Sequence, residues 1–128
     1  LGSQDVRSEQ GGAVLRTELR ESHVFVLPSR ADCTPIVLAE AGAYGVPCFA
    51  ASTGGIPEML EDGINGNAFP GTSPVRYVQE IAALLGDRDR YIRLAHASFE
   101  RYRSQASWDA IGARVFSLMC PLLAHAVQ

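Results

Sequence analysis

The stretch VFVLPSRADCTPIVLAEAGAYGVPCFAASTGGIPE, residues 24–58, decides the fold. Residues 24–27 are apolar in succession, the mark of a strand covered on both faces, and a second such run spans residues 47–51. Between them, residues 28–34 form a polar turn and residues 35–44 a short helix carrying one acid. Thr34 is a competent N-cap and Pro35 suits the first helical position, where its missing N–H is no loss. Gly45 stops the helix, Pro47 starts the second strand, and Thr53-Gly54-Gly55 turns the chain again. Strand, helix, strand with acids at Asp32 and Glu40 reads as a parallel crossover that binds a ligand.

Outward from this unit, residues 1–12 read as a loop and residues 13–22 as a surface helix with Val14, Leu15 and Leu19 at helical spacing. Downstream, residues 56–60 make one or two helical turns, and turn signals at 61–63 and 65–66 flank a short strand at 67–69. A loop at 70–74 leads into three helices. The first, 75–85, carries a stripe of Val78, Ile81, Ala82 and Leu85; the second, 87–103, places Tyr91, Leu94, Ala95 and Phe99 inward. Residues 104–107 join it to the third, 108–125, built on Trp108, Ile111, Val115, Phe116 and Leu118 as core, with a kink expected at Pro121. The fold class is α/β: a partial Rossmann-like parallel sheet with C-terminal helices. No repeat, low-complexity tract or linker interrupts it.

Composition narrows the function. The chain has 128 residues, one domain's worth, and its 47% hydrophobic content suits a packed core. A net charge of −3 argues against nucleic acid and anionic membrane as partners, since both need a concentrated basic face. All 11 basic residues are arginine, which excludes Schiff-base lysine chemistry within this chain while leaving bidentate phosphate pairing open. Cys33, Cys48 and Cys120 are odd in number and lack metal-ligand spacing, so free thiols, no metal and a cytoplasmic location are expected. No apolar run is long enough to span a membrane.

The helix opening near Pro35 points its N-terminus at residues 29–34, where first-turn N–H groups suit an anion such as a diphosphate. Glu40 sits about 7 Å further along, at ~1.5 Å per residue, among small apolar neighbours on a helix expected to be largely buried. A buried carboxylate needs donors. Vicinal ribose hydroxyls of a nucleotide would supply them; so would backbone amides or an arginine in a purely structural role. Asp32 is equally an ordinary turn residue, Arg30 either meets a phosphate or pairs with Asp32, and Gly54-Gly55 either admits a ligand to the backbone or simply tightens a turn. His23, His96 and His125 have no recognisable catalytic partners.

Taken together, VFVLPS (24–29), Asp32 with seven residues to Glu40-Ala41, GVP (45–47), GGIPE (54–58), EDGINGNAF (61–69) and the closing Ser107-Trp108 resemble the C-terminal, donor-binding domain of family 4 retaining GT-B glycosyltransferases. The resemblance covers roughly residues 1–123. It implies that the parent protein transfers a sugar from a nucleoside diphosphate sugar to a hydroxyl acceptor, with that donor as substrate and no cofactor. It implies that Glu40 binds the nucleotide ribose and that Asp32, the candidate catalytic residue standing where the family usually has Glu, contacts donor-sugar hydroxyls or assists at the reacting face. Thr34, Pro35 and Ile36 would line the diphosphate and sugar pocket, with Pro35 where the family usually has Gly. The family's diphosphate-neutralising Arg and Lys and its N-terminal acceptor domain have no counterpart here. Residues 1–128 are therefore expected to be one partial domain, inactive alone and prone to self-association through an exposed sheet edge. Alternatives on the same scaffold are a non-catalytic nucleotide-binding or assembly module and a nucleotide-sugar epimerase. A response-regulator-like domain fits less well, because its paired acids sit at an earlier strand end.

Overall fold

A computed structural model describes residue 5, residues 8–71 and residues 73–126. The element order is α1 (Glu9–Glu21), β1 (Phe25–Leu27), α2 (Ile36–Ala43), β2 (Cys48–Ala51), α3 (Ile56–Met59) and β3 (Gly66–Phe69). Then come α4 (Pro74–Leu85), α5 (Arg88–Arg101), a π-helical turn (Tyr102–Ala106) and α6 (Trp108–Ala126). The three strands form one parallel sheet in the order β1-β2-β3, with Phe25 opposite Cys48 and Cys48 opposite Gly66. The α/β class and the parallel crossover follow the sequence reading.

Alternate residues of the strands serve two core layers, as the period-2 geometry of a strand requires. Cys48 and Ala50 join Leu19, Leu38, Ala41, Val46, Ile56 and Leu60 on one face, with Phe25, Leu27 and Ala68 packed against them. Phe49 and Phe69 join Tyr77, Leu84 and Leu94 on the other. The central strand β2 is buried throughout. The edge strand β1 is not: Val26 is exposed, so the second face expected to be covered there is open.

Several boundaries shift for identifiable reasons. The loop expected over residues 1–12 lies partly outside the described residues, and its end is helical: α1 starts at Glu9 because the Ser8 hydroxyl accepts from the Gly11 N–H, capping the first turn. In the loop at 70–74, residue 72 lies outside the described residues. In α4 the buried face is Tyr77, Leu84 and the half-buried Ile81, whereas Val78 and Leu85 are exposed. The ring of Tyr77 meets Phe69 edge-on at 5.0 Å, and that contact sets the helix phase. In α5, Leu94 is buried but Phe99 is exposed. Most of the joint expected at 104–107 is instead π-helical, closed by the Ser107 N–H donating to the Tyr102 carbonyl at 2.8 Å.

The largest departure is α6. Trp108, Ile111, Val115, Phe116 and Leu118 are exposed, Trp108 by 82%, so this stripe is not core. The helix packs mainly on the π-helical turn, and its apolar face is left exposed. It runs past Pro121 to Ala126. Among the described residues, no helix is long and apolar enough to cross a membrane.

Candidate functional site

The crossover brings two loops together at the carboxyl ends of the strands. The Gly55 N–H donates to the Cys33 carbonyl, tying the Gly-Gly turn to the loop that carries Asp32. Gly54 adopts φ +54°, and a Cβ there would lie 1.7 Å from the Asp32 carbonyl oxygen. A Cβ on Gly55 would lie 2.7 Å from Thr34 Oγ1. Only glycine permits this backbone-on-backbone approach, so the two glycines determine how closely Asp32, Cys33 and Thr34 sit over the start of α3.

Above that contact, α2 begins one residue later than the sequence suggests. Pro35 is the N-cap, extended at φ −71° and ψ 108°, and no side chain caps the helix. Thr34 therefore stands outside the helix, with its exposed hydroxyl free of the capping role assigned to it. Of the first-turn N–H groups of α2, that of Leu38 donates to the Pro35 carbonyl at 3.0 Å, which leaves those of Ile36 and Val37 to whatever lies beyond the 32–34 loop.

Glu40 corrects the expectation of a buried acid. Leu38, Ala41 and Gly42 form the buried stripe of α2, while Ile36 and Glu40, four residues apart, share the opposite and exposed face. Glu40 has no hydrogen bond or ion pair with any described residue. Its carboxylate is solvent-exposed and needs no buried partner.

A groove of about 880 Å³ runs along this face, walled by α1, α2, the π-helical turn and the start of α6. Thr34, Ile36 and Glu40 line it, together with Glu58, Arg101, Tyr102 and Trp108. Arg30, Asp32, Pro35, Gly54 and Gly55 do not. Asp32 is half-buried, Pro35 is buried, and Arg30 is exposed and makes no ion pair with Asp32. The predicted residues thus fall into two adjoining sets, a groove set and a loop set, and Thr34 belongs to both. Among the described residues, no group of three or more His, Cys, Asp or Glu gathers to hold a metal ion.

Two residues missed by sequence reasoning hold the back of the site. Buried Asn65 accepts from the Glu61 N–H at 2.8 Å and donates to the Met59 carbonyl at 3.0 Å. Arg101 donates to the carbonyls of Met59 and Glu58, each at 3.1 Å, and to Glu61 at 3.0 Å. Arg101 lies some 40 residues from its partners, and no local spacing announces it, whereas Asn65 bonds within its own turn.

The sequence profile described as glycosyl transferases group 1 matches residues 8–101 of the chain. The chain belongs to that family. The matched span includes both loops and α2 and ends at Arg101.

Among its curated relatives is a GDP-mannose-dependent alpha-(1-6)-phosphatidylinositol monomannoside mannosyltransferase of Mycobacterium tuberculosis. It is 34% identical over 81% of this chain and 30% of its own length. A D-inositol 3-phosphate glycosyltransferase of Corynebacterium glutamicum is 32% identical over 83% of this chain and 25% of its own. The chain thus spans about a quarter to a third of the length of these relatives. Among solved structures, sucrose-phosphate synthase from Thermosynechococcus elongatus superposes with a TM-score of 0.74. That match covers 97% of this chain and 38% of the other at 21% identity, which establishes the shared GT-B fold.

Proposed function

We propose that these residues are the donor-binding portion of a retaining glycosyltransferase, holding a nucleoside diphosphate sugar whose sugar passes to a hydroxyl acceptor. One observation carries the reading: an α2 N-terminus with no side-chain cap faces the tightly apposed 32–34 and 54–55 loops, one turn from an acid that lies on a groove and has no partner among the described residues. On this reading the diphosphate lies against the Ile36 and Val37 N–H groups at the start of α2, which stabilise the negative charge that grows as the sugar departs. Glu40 accepts from the ribose hydroxyls. Asp32, Thr34, Pro35, Ile36, Gly54 and Gly55 shape the sugar end, and Arg30 approaches the phosphates.

Residues 1–128 then act as part of one donor domain, partnered by an acceptor-binding domain. The name of the Mycobacterium tuberculosis relative makes a guanosine diphosphate sugar the first donor to try. A cytoplasmic location belongs to the same proposal, supported by three unpaired thiols of the kind found in reducing compartments.

Calorimetric titration of GDP into the protein carrying this chain tests the reading. Replacing Glu40→Ala removes hydrogen bonds from a charged acceptor, each contributing about 1.5–3 kcal/mol, so affinity should fall at least tenfold. Equal affinity for wild type and variant refutes the ribose role.

A further inference from the structure

α3 is only four residues long, too short to hold itself as a helix, and needs outside support at both ends. Its front end is the Gly54-Gly55 turn bonded to Cys33. Its back end leaves terminal carbonyls without intrahelical partners. Arg101, the last residue of α5, supplies them: Nε donates to the Met59 carbonyl and a terminal nitrogen to that of Glu58, both at 3.1 Å, while the other terminal nitrogen reaches Glu61. Asn65 adds a second donor to the Met59 carbonyl at 3.0 Å. The Arg101 side chain is 21% exposed but Glu61 is 55% exposed, so the ion pair contributes little beside the two carbonyl bonds.

We propose that Arg101 is a positioning residue for the donor-sugar end of the site. By fixing the back of α3, it sets where the Gly54-Gly55 backbone lies, and hence where Asp32 and Thr34 stand. α2 and Glu40 are anchored separately: Gly42 packs against Tyr102 and Ser98, and the Ser98 hydroxyl donates to the Val46 carbonyl at 3.2 Å. Disturbing the latch therefore acts on sugar contacts more than on nucleotide contacts. Lysine cannot replace the fork, because one ammonium group does not reproduce three bonds in fixed planar geometry.

This inference rests on the nucleotide-sugar reading, and its test separates the two. GDP and GDP-mannose are titrated into wild type, Arg101→Lys, Arg101→Ala and Glu61→Ala, all in the protein carrying this chain. Glu61→Ala should match wild type for both ligands. Both Arg101 variants should keep GDP affinity within about twofold while the extra affinity conferred by the sugar falls about tenfold, the effect of one lost polar contact. A lower folded fraction weakens the apparent affinity for both ligands by the same factor, so mere destabilisation gives a different result from a selective loss of the sugar's contribution. If Arg101→Ala does not fold, Arg101→Lys carries the test.

Wild-type-like binding of both ligands, or an equal loss of both, overturns the positioning role. Failure of wild type to bind either ligand refutes the guanosine diphosphate sugar reading instead. Hydrogen exchange at the Gly55 amide then decides the latch without any ligand: exchange should quicken in both Arg101 variants, and unchanged protection overturns it.

Discussion

Replacing Gly54→Ala tests the close approach on which the loop arrangement depends. Two penalties add at this position. The backbone sits at φ +54°, a left-handed conformation that costs an L-residue about 1–2 kcal/mol. The new Cβ would also lie 1.7 Å from the Asp32 carbonyl oxygen and 3.1 Å from that of Cys33, both backbone atoms that cannot rotate aside. Relieving the first contact requires the 32–34 loop to move by roughly 1.5–2 Å, breaking the Gly55-to-Cys33 hydrogen bond, for a further ~1–2 kcal/mol. The sum is about 2–4 kcal/mol.

Gly63 provides the control, since it has φ +76° but nothing within 4 Å of an added Cβ. Gly63→Ala should show the conformational penalty alone. For a domain of this size each kcal/mol corresponds to roughly 3–6 °C in Tm. Thermal unfolding by circular dichroism should therefore place Gly54→Ala several degrees below Gly63→Ala. GDP-mannose affinity should fall only in the former. Equal melting temperatures for the two variants would show that the loops are not in contact and would refute the reasoning.

The thiols and the uncovered surface lead to three further outcomes. Burial pushes the Cys48 thiol up from 9.0 to about 12, while Cys33 and Cys120 are exposed, so a disulfide reagent should titrate two thiols quickly in the native protein and the third only on unfolding. The folded state then holds the Cys48 proton more tightly than the unfolded state. Its contribution is complete below pH 9.0 and declines as pH rises toward about 12, so urea midpoints should fall across that window less steeply in Cys48→Ala. The open edge of β1 and the apolar face of α6 support self-association of the 128-residue chain. It should elute ahead of a monomer, and its sole tryptophan, Trp108, should become shielded from iodide quenching as concentration rises; a clean monomer with fully quenchable fluorescence refutes this.

What the sequence disclosed well was local. The strands at 25–27 and 48–51, the helix between them and the Gly-Gly turn are each specified by a few consecutive residues, and their identity survives any rearrangement of the surroundings. Phase was harder. In α4, Val78-Ile81-Ala82-Leu85 and Tyr77-Ile81-Leu84 both satisfy a helical period, and the choice depends on Phe69 lying opposite Tyr77. In α6 the apolar stripe was read correctly as a stripe, but periodicity gives no partner, and the sheet is not its partner. Arg101 was invisible because its acceptors are carbonyls, which every residue possesses.

Glu40 shows the same division between local pattern and tertiary context. Its apolar neighbours suggested burial, yet in a helix the immediate neighbours point elsewhere, and the residue that shares its face is Ile36, which is 69% exposed. A buried acid would have demanded a partner on energetic grounds, whereas an exposed one is stable without any. Its proposed ribose contact consequently draws support from position alone: one turn past an uncapped helix start, on the wall of a groove that it shares with Thr34 and Ile36. An exposed carboxylate is also the kind that a ligand can reach without first displacing a protein donor. Loss of affinity in Glu40→Ala would then measure the ligand contact itself, because the variant leaves behind no buried, unsatisfied group to destabilise the fold.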